Sequence, residues 1–184
     1  MGNRADNFKV LYNQYSLLVY NVALNYLQNN EDAEEITQDV FIQIHNSLSD
    51  FKNKSTLKTW IYRITINKCL DFLKHKNSLK RFFIFGKKSN NAFEIKNVSS
   101  FLHPGIALEN QENAKILFGA INQLTSNQKT AFILSKLDGL SNLEIAAVLN
   151  CSVSAVESLI FRAKEALKEK LSAEFENYRK KKSK

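Results

Sequence analysis

Residues 142–163 read NLEIAAVLNCSVSAVESLIFRA, and their spacing is that of a helix-turn-helix. Ser141 and Glu144, set just before an apolar run, form a capping box that opens a helix over 142–149. Ala146 is small where two helices would cross, and Asn150 stands at a turn position that needs a left-handed backbone. A second helix follows from about Val153 to Leu171, buried against the first by Val156 and by Leu159 or Ile160. Cys151 reads as a small apolar core residue. Two roles fit this hairpin. It is a DNA-binding motif whose second helix enters the major groove, or it is a purely structural pair of helices. In the first role the candidate contacts are Ser152, Ser154, Ala155, Glu157, Ser158, Phe161, Arg162 and Lys164. Arg162 and Lys164 can reach phosphate or guanine, while Glu157 either accepts from a cytosine amino group or closes a capping box with Ser154.

Working outward, Thr125 and Gln128 make another capping box, opening a helix through Lys136 that Asp138-Gly139 ends. With a helix over 112–122, residues 112–184 become one small helical domain with a basic tail. Residues 78–111 break the pattern: they hold Asn/Ser clusters, Gly86 and the only proline, Pro104, without a sustained period. This linker is nonetheless rich in apolar side chains (Phe82, Phe83, Ile84, Phe85, Phe93, Phe101), so it docks on a domain or awaits a partner. Residues 1–77 form the other domain. Phe8, Leu11, Tyr12, Tyr15, Val19, Val22 and Tyr26 follow helical spacing over 6–27. Asn29 or Asn30 caps a helix with the stripe Ala33, Ile36, Val40 and Ile44, and a polar loop, Phe51 to Thr56, precedes a long helix from Leu57 to Lys76. The fold class is all-α: two small helical domains joined by an irregular linker.

Composition agrees. Five Gly and one Pro in 184 residues favour helices over turn-rich sheets. No apolar run nears membrane-spanning length, the N-terminus lacks a signal-peptide core, and Cys69 and Cys151 make no disulfide framework, so a cytoplasmic protein is expected. The net charge of +8 is unevenly spread. Residues 113–184 hold 12 basic and 7 acidic residues, whereas residues 1–77 hold 9 and 8. Within that near-neutral first domain, Gln28 to Asp50 carries six acids and no Lys or Arg, and Lys52 to Lys76 carries seven cations and one acid. Either the domain shows two charged surfaces to two partners, or the two helices simply pair their charges.

The long helix has an unusual wheel. Tyr62, Ile66, Cys69, Leu70 and Leu73 fill one sector, and Leu57, Ile61, Ile64 and Phe72 a second. Trp60, Arg63, Asn67, Asp71 and Lys74 share a strip about 80° wide between them, and the other gap holds Lys58 and Thr65. An aromatic, an amide and cations on one open strip suit stacking, hydrogen bonding and charge contact with unstacked bases. The alternative is a solvated face with Trp60 tucked into the core.

The run DAEEITQDVFIQIHNSLSDFKNKSTLKTWIYRITINKCLDFLK resembles the second region of bacterial extracytoplasmic-function sigma factors, and DGLSNLEIAAVLNCSVSAVESLIFRAKEALKEKL resembles their fourth. The resemblance covers roughly 8–76 and 112–171, and it implies a non-enzymatic subunit that binds core RNA polymerase, through its clamp helices and flap, and directs it to promoters. It implies a polymerase-binding face of Glu35, Gln38, Asp39 and Ile42 beside Phe41. It implies a reader of the melted minus-ten element made of Lys52, Asn53, Lys54, Ser55, Thr56, Trp60, Arg63, Asn67 and Lys74. The helix-turn-helix then reads the minus-thirty-five element as duplex, and the linker threads through the polymerase toward the RNA exit channel. An anti-sigma factor is a further implied partner. No cofactor, metal or small-molecule substrate is expected, nor a further sensory domain. Many members carry basic residues where Glu157 and Leu159 stand, which favours Ile160 as the buried contact.

Two other classes remain in view. A stand-alone helix-turn-helix regulator would need a dimer interface and would leave the acidic 28–50 segment unexplained. An enzyme is disfavoured because His45, His75 and His103 lie in unrelated contexts, with no metal-spaced cluster and no phosphate loop.

Overall fold

The computed structural model describes residues 4–51, 55–86 and 111–182, with side chains over 8–51, 55–79 and 113–172. Among the described residues there are seven α-helices and no strand. They are α1 (Arg4–Leu27), α2 (Asn30–Ser47), α3 (Leu57–Gly86), α4 (Gln111–Ile121), α5 (Ser126–Lys136), α6 (Asn142–Leu149) and α7 (Val153–Lys182). The chain divides into two units, Met1–Ser100 and Phe101–Lys184, and the division falls inside the expected linker. No single helix among the described residues is long and apolar enough to cross a membrane.

In the first unit α1, α2 and α3 each pack on the other two. The turn between α1 and α2 is tight because Gln28 takes a left-handed backbone, φ 55°, and Asn29 caps the next helix by accepting from the Asp32 amide at 2.7 Å. All four stripe residues of α2, Ala33, Ile36, Val40 and Ile44, are buried. A short 3₁₀ turn, Leu48–Asp50, leads into the loop before α3. Thr56 then caps α3: its hydroxyl accepts from the Thr59 amide at 3.1 Å.

The two apolar sectors of α3 merge into one broad buried face. Thr65, expected in an open gap, is 0% exposed at its centre and donates its hydroxyl to the Ile61 carbonyl at 2.9 Å. That bond removes the polar cost of burial, which is how a threonine can sit among Ile61, Tyr62, Ile64, Ile66 and Cys69.

In the second unit α7 is the hub, touching α4, α5 and α6. The α5–α6 turn depends on Gly139 at φ +70°, and the α6–α7 turn on Asn150 at φ 54°, ψ 49°, as the sequence predicts. Val156 is 0% and Ile160 8% exposed, so Ile160, not Leu159, is the buried contact, and Ala146 is buried opposite them.

Three expectations change. Residues 78–86, predicted as irregular linker, continue α3, because SLKRFFIF contains no helix breaker before Gly86. The terminal segment 172–182, expected as a basic tail beyond the helix, continues α7; it too lacks Gly and Pro, and its closing cations suit the negative end of the helix. Cys151 is exposed rather than packed in the core, since the left-handed Asn150 turns the chain outward there.

Candidate nucleic-acid and polymerase interfaces

The buried face of α3 determines what its opposite side presents. Asn67, Asp71 and Lys74 are exposed and Trp60 and Arg63 half-buried, all within the predicted strip. Trp60 neither stands free nor enters the core: its ring lies 5.1 Å from that of Phe51, tilted by 38°. Two rings so placed make an aromatic pair on which a planar base could stack. Ser55 is half-buried and Thr56 exposed, while Lys52, Asn53 and Lys54 lie outside the described residues. Lys74 is held by Asp71 at 3.2 Å, an exposed pair of little energetic weight.

On α2, Glu35, Gln38 and Ile42 are exposed, Ile42 at 60%. Asp39 is shared: its carboxylate accepts from Lys68 on α3 at 3.2 Å, with 48% of its own side chain still open. Phe41 does not belong to this face. It is 3% exposed, 4.7 Å from the ring of Tyr12 and 6.2 Å from that of Phe8 on α1, so the helical step turns it into the bundle. Lys76 likewise reaches back to Asp32, so part of the charge complementarity between 28–50 and 52–76 is spent inside the domain.

A groove of about 610 Å³ runs between the two helices, lined by Glu35, Asp39 and Gln43 from α2 and by Asn67, Asp71 and Lys74 from α3. The expected polymerase face and the expected base-reading strip therefore adjoin. Sequence spacing treats each helix alone and carries no signal for this, apart from the opposite charges of Asp39 and Lys68.

In the second unit the helix-turn-helix is complete. Ser152 caps α7 by accepting from the Ala155 amide at 3.2 Å and shares a hydroxyl contact with Ser154 at 3.0 Å. The helix thus begins at Val153, and Ser154 is inside its first turn, so a Ser154–Glu157 capping box does not form. Ser154, Glu157, Ser158, Phe161 and Lys164 are exposed along the outward side of α7, with Phe161 at 65%. Ala155 and Arg162 lie on its flank, where they line a groove of about 410 Å³ with Cys151, Leu159 and Asn127 of α5. Asn127 was not visible as a partner from sequence, being on another helix. Serines, an acid, an aromatic and cations on one protruding helix have the donors, acceptors and apolar surface that major-groove edges require.

Family models match both units, Sigma-70 region 2 over residues 11–78 and Sigma-70 region 4 over residues 115–167. The chain is 30% identical to the ECF RNA polymerase sigma-E factor of Escherichia coli over 168 residues, covering 89% of this chain and 86% of that one. The chain belongs to the extracytoplasmic-function sigma factors. The Haemophilus influenzae sigma-E factor is 29% identical over 174 residues, covering 89% and 87% of the two chains. Two solved structures share the fold. CnrH, in complex with the cytosolic domain of CnrY, matches with TM-score 0.64 at 24% identity over 94% of this chain and 91% of CnrH. The Bartonella quintana sigma factor RpoE, in complex with the anti-sigma factor NepR, matches with TM-score 0.62 at 22% identity over 90% and 97%.

This sigma factor therefore serves promoter-directed transcription initiation with RNA polymerase, inside the cell, as a member of a family of non-catalytic initiation factors. Because the relatives align across both units, the stand-alone regulator is set aside.

Proposed function

We propose that the two units divide promoter recognition between melted and duplex DNA. Residues 1–77 bind core polymerase and the single-stranded minus-ten element; residues 112–184 bind the minus-thirty-five element as duplex. The polar line on α3, set directly opposite its buried face, carries this reading. There Asn67 and Arg63 hydrogen-bond a displaced strand, Trp60 with Phe51 offers a stacking edge, and Ser55, Thr56, Lys74 and the Lys52–Lys54 loop supply polar and cationic contacts. Glu35, Gln38, Asp39 and Ile42 meet the polymerase clamp, an acidic patch with one exposed apolar residue at its edge. On the second unit Ser152, Ser154, Ala155, Glu157, Ser158, Phe161, Arg162 and Lys164 make the upstream interface. The chain works in the cytoplasm, has no catalytic activity of its own, and is held in check by an anti-sigma factor, as the fold neighbours CnrH and RpoE bind CnrY and NepR.

The test is Asn67→Ala, an exposed position whose loss leaves the bundle intact. Permanganate reactivity of minus-ten thymines should fall with core polymerase affinity retained. Equal loss of both would remove the strip from the site.

A further inference from the structure

Glu157 is an acid on an outward helix face of the more basic unit, and no contact among the described residues employs it. The capping role is filled by Ser152, whose hydroxyl receives the Ala155 amide. At helical spacing its neighbours are Val153, Ser154, Ile160 and Phe161, none of them a cation. Lys68–Asp39, Lys74–Asp71 and Lys76–Asp32 are ion pairs of the other unit and do not involve it. Glu157 is exposed, about a fifth of a turn from the centre of the outward side formed by Ser154, Ser158 and Phe161.

Resting on the proposed helix-turn-helix role, we propose that Glu157 is a specificity-determining residue that selects cytosine at one position of the upstream duplex. A carboxylate brought near phosphates is repelled, so it is tolerated at such an interface where it meets a donor. In the major groove the donors are the amino groups of cytosine and adenine. Adenine places its N7 acceptor beside N6, facing the second carboxylate oxygen with another lone pair. Cytosine offers N4–H₂ with no acceptor of its own alongside. An ionised carboxylate only accepts, so cytosine is the base it matches. Guanine and thymine present acceptors at that edge and are rejected.

Replacing the acceptor by an amide should therefore change the base chosen. Glutamine can accept and donate together, which fits the N6/N7 edge of adenine. The experiment is competition binding of core polymerase reconstituted with the full chain, using promoter duplexes randomised across the upstream element. Wild type should prefer cytosine about tenfold at one position. Glu157→Ala should flatten that position alone, and Glu157→Gln should move its preference toward adenine. If Glu157→Ala tightens binding to every duplex alike and leaves each base preference unchanged while Arg162→Ala alters one, the residue is only a surface charge and the inference is overturned. If neither substitution alters any upstream preference, the helix-turn-helix reading is overturned with it.

Discussion

Phe41 and Ile42 are neighbours on α2 with opposite fates, and truncating each separates core from interface. Phe41 is 3% exposed and packs against the rings of Tyr12 and Phe8. Cutting a buried phenylalanine to alanine costs about 3–5 kcal/mol through lost transfer and cavity terms. Tyr12 is itself 45% exposed, so the site lies near the edge of the core and the cavity can partly rehydrate, which points to the lower end, about 3 kcal/mol. For a unit of this size that lowers the melting midpoint on the order of 10–20 °C. Ile42, at 60% exposure, should change stability by no more than about 0.5 kcal/mol on truncation. If it anchors the polymerase contact, Ile42→Ala should weaken core binding by about fivefold or more. Urea unfolding followed by circular dichroism, paired with core polymerase titration, measures both. An unfolding midpoint untouched by Phe41→Ala together with loss of polymerase binding would refute this assignment and restore Phe41 to the outer face.

Arg162→Ala should cost about 1–3 kcal/mol at the upstream element if the guanidinium reaches a base edge; unchanged affinity and sequence preference in duplex titrations would take it out of the site. Gly119 lies within α4 with no atom within 4 Å of where a Cβ would stand, so Gly119→Ala should stabilise the second unit by about 0.5–1 kcal/mol, visible as a higher denaturation midpoint.

Local chemistry made much of this molecule legible before its structure. The capping boxes at Thr125 and Ser141, the left-handed Asn150 and the α2 stripe are each written within a few residues, and each forms. The misreadings come where the outcome depends on partners elsewhere. Phe41 looks like a surface aromatic on its own helix and is buried only because α1 brings Phe8 and Tyr12 over it. Thr65 looks polar until Ile61 takes its hydroxyl. The helices run past their expected ends, Lys76 and Leu171, to Gly86 and Lys182, because a helix continues without apolar periodicity where no residue breaks it. The groove joining Glu35 and Asp39 to Asn67 and Lys74 exists only after α2 and α3 pair.

On the proposed division, promoter recognition requires both units acting on polymerase-bound, partly melted DNA. Purified chain, promoter duplex and matched core polymerase test it most directly, with duplex affinity and permanganate-detected melting measured with and without the core enzyme. The chain alone should bind duplex weakly and without melting, and adding core polymerase should yield a sequence-specific open complex. Tight, sequence-specific duplex binding by the chain alone, unchanged by the polymerase, would contradict it.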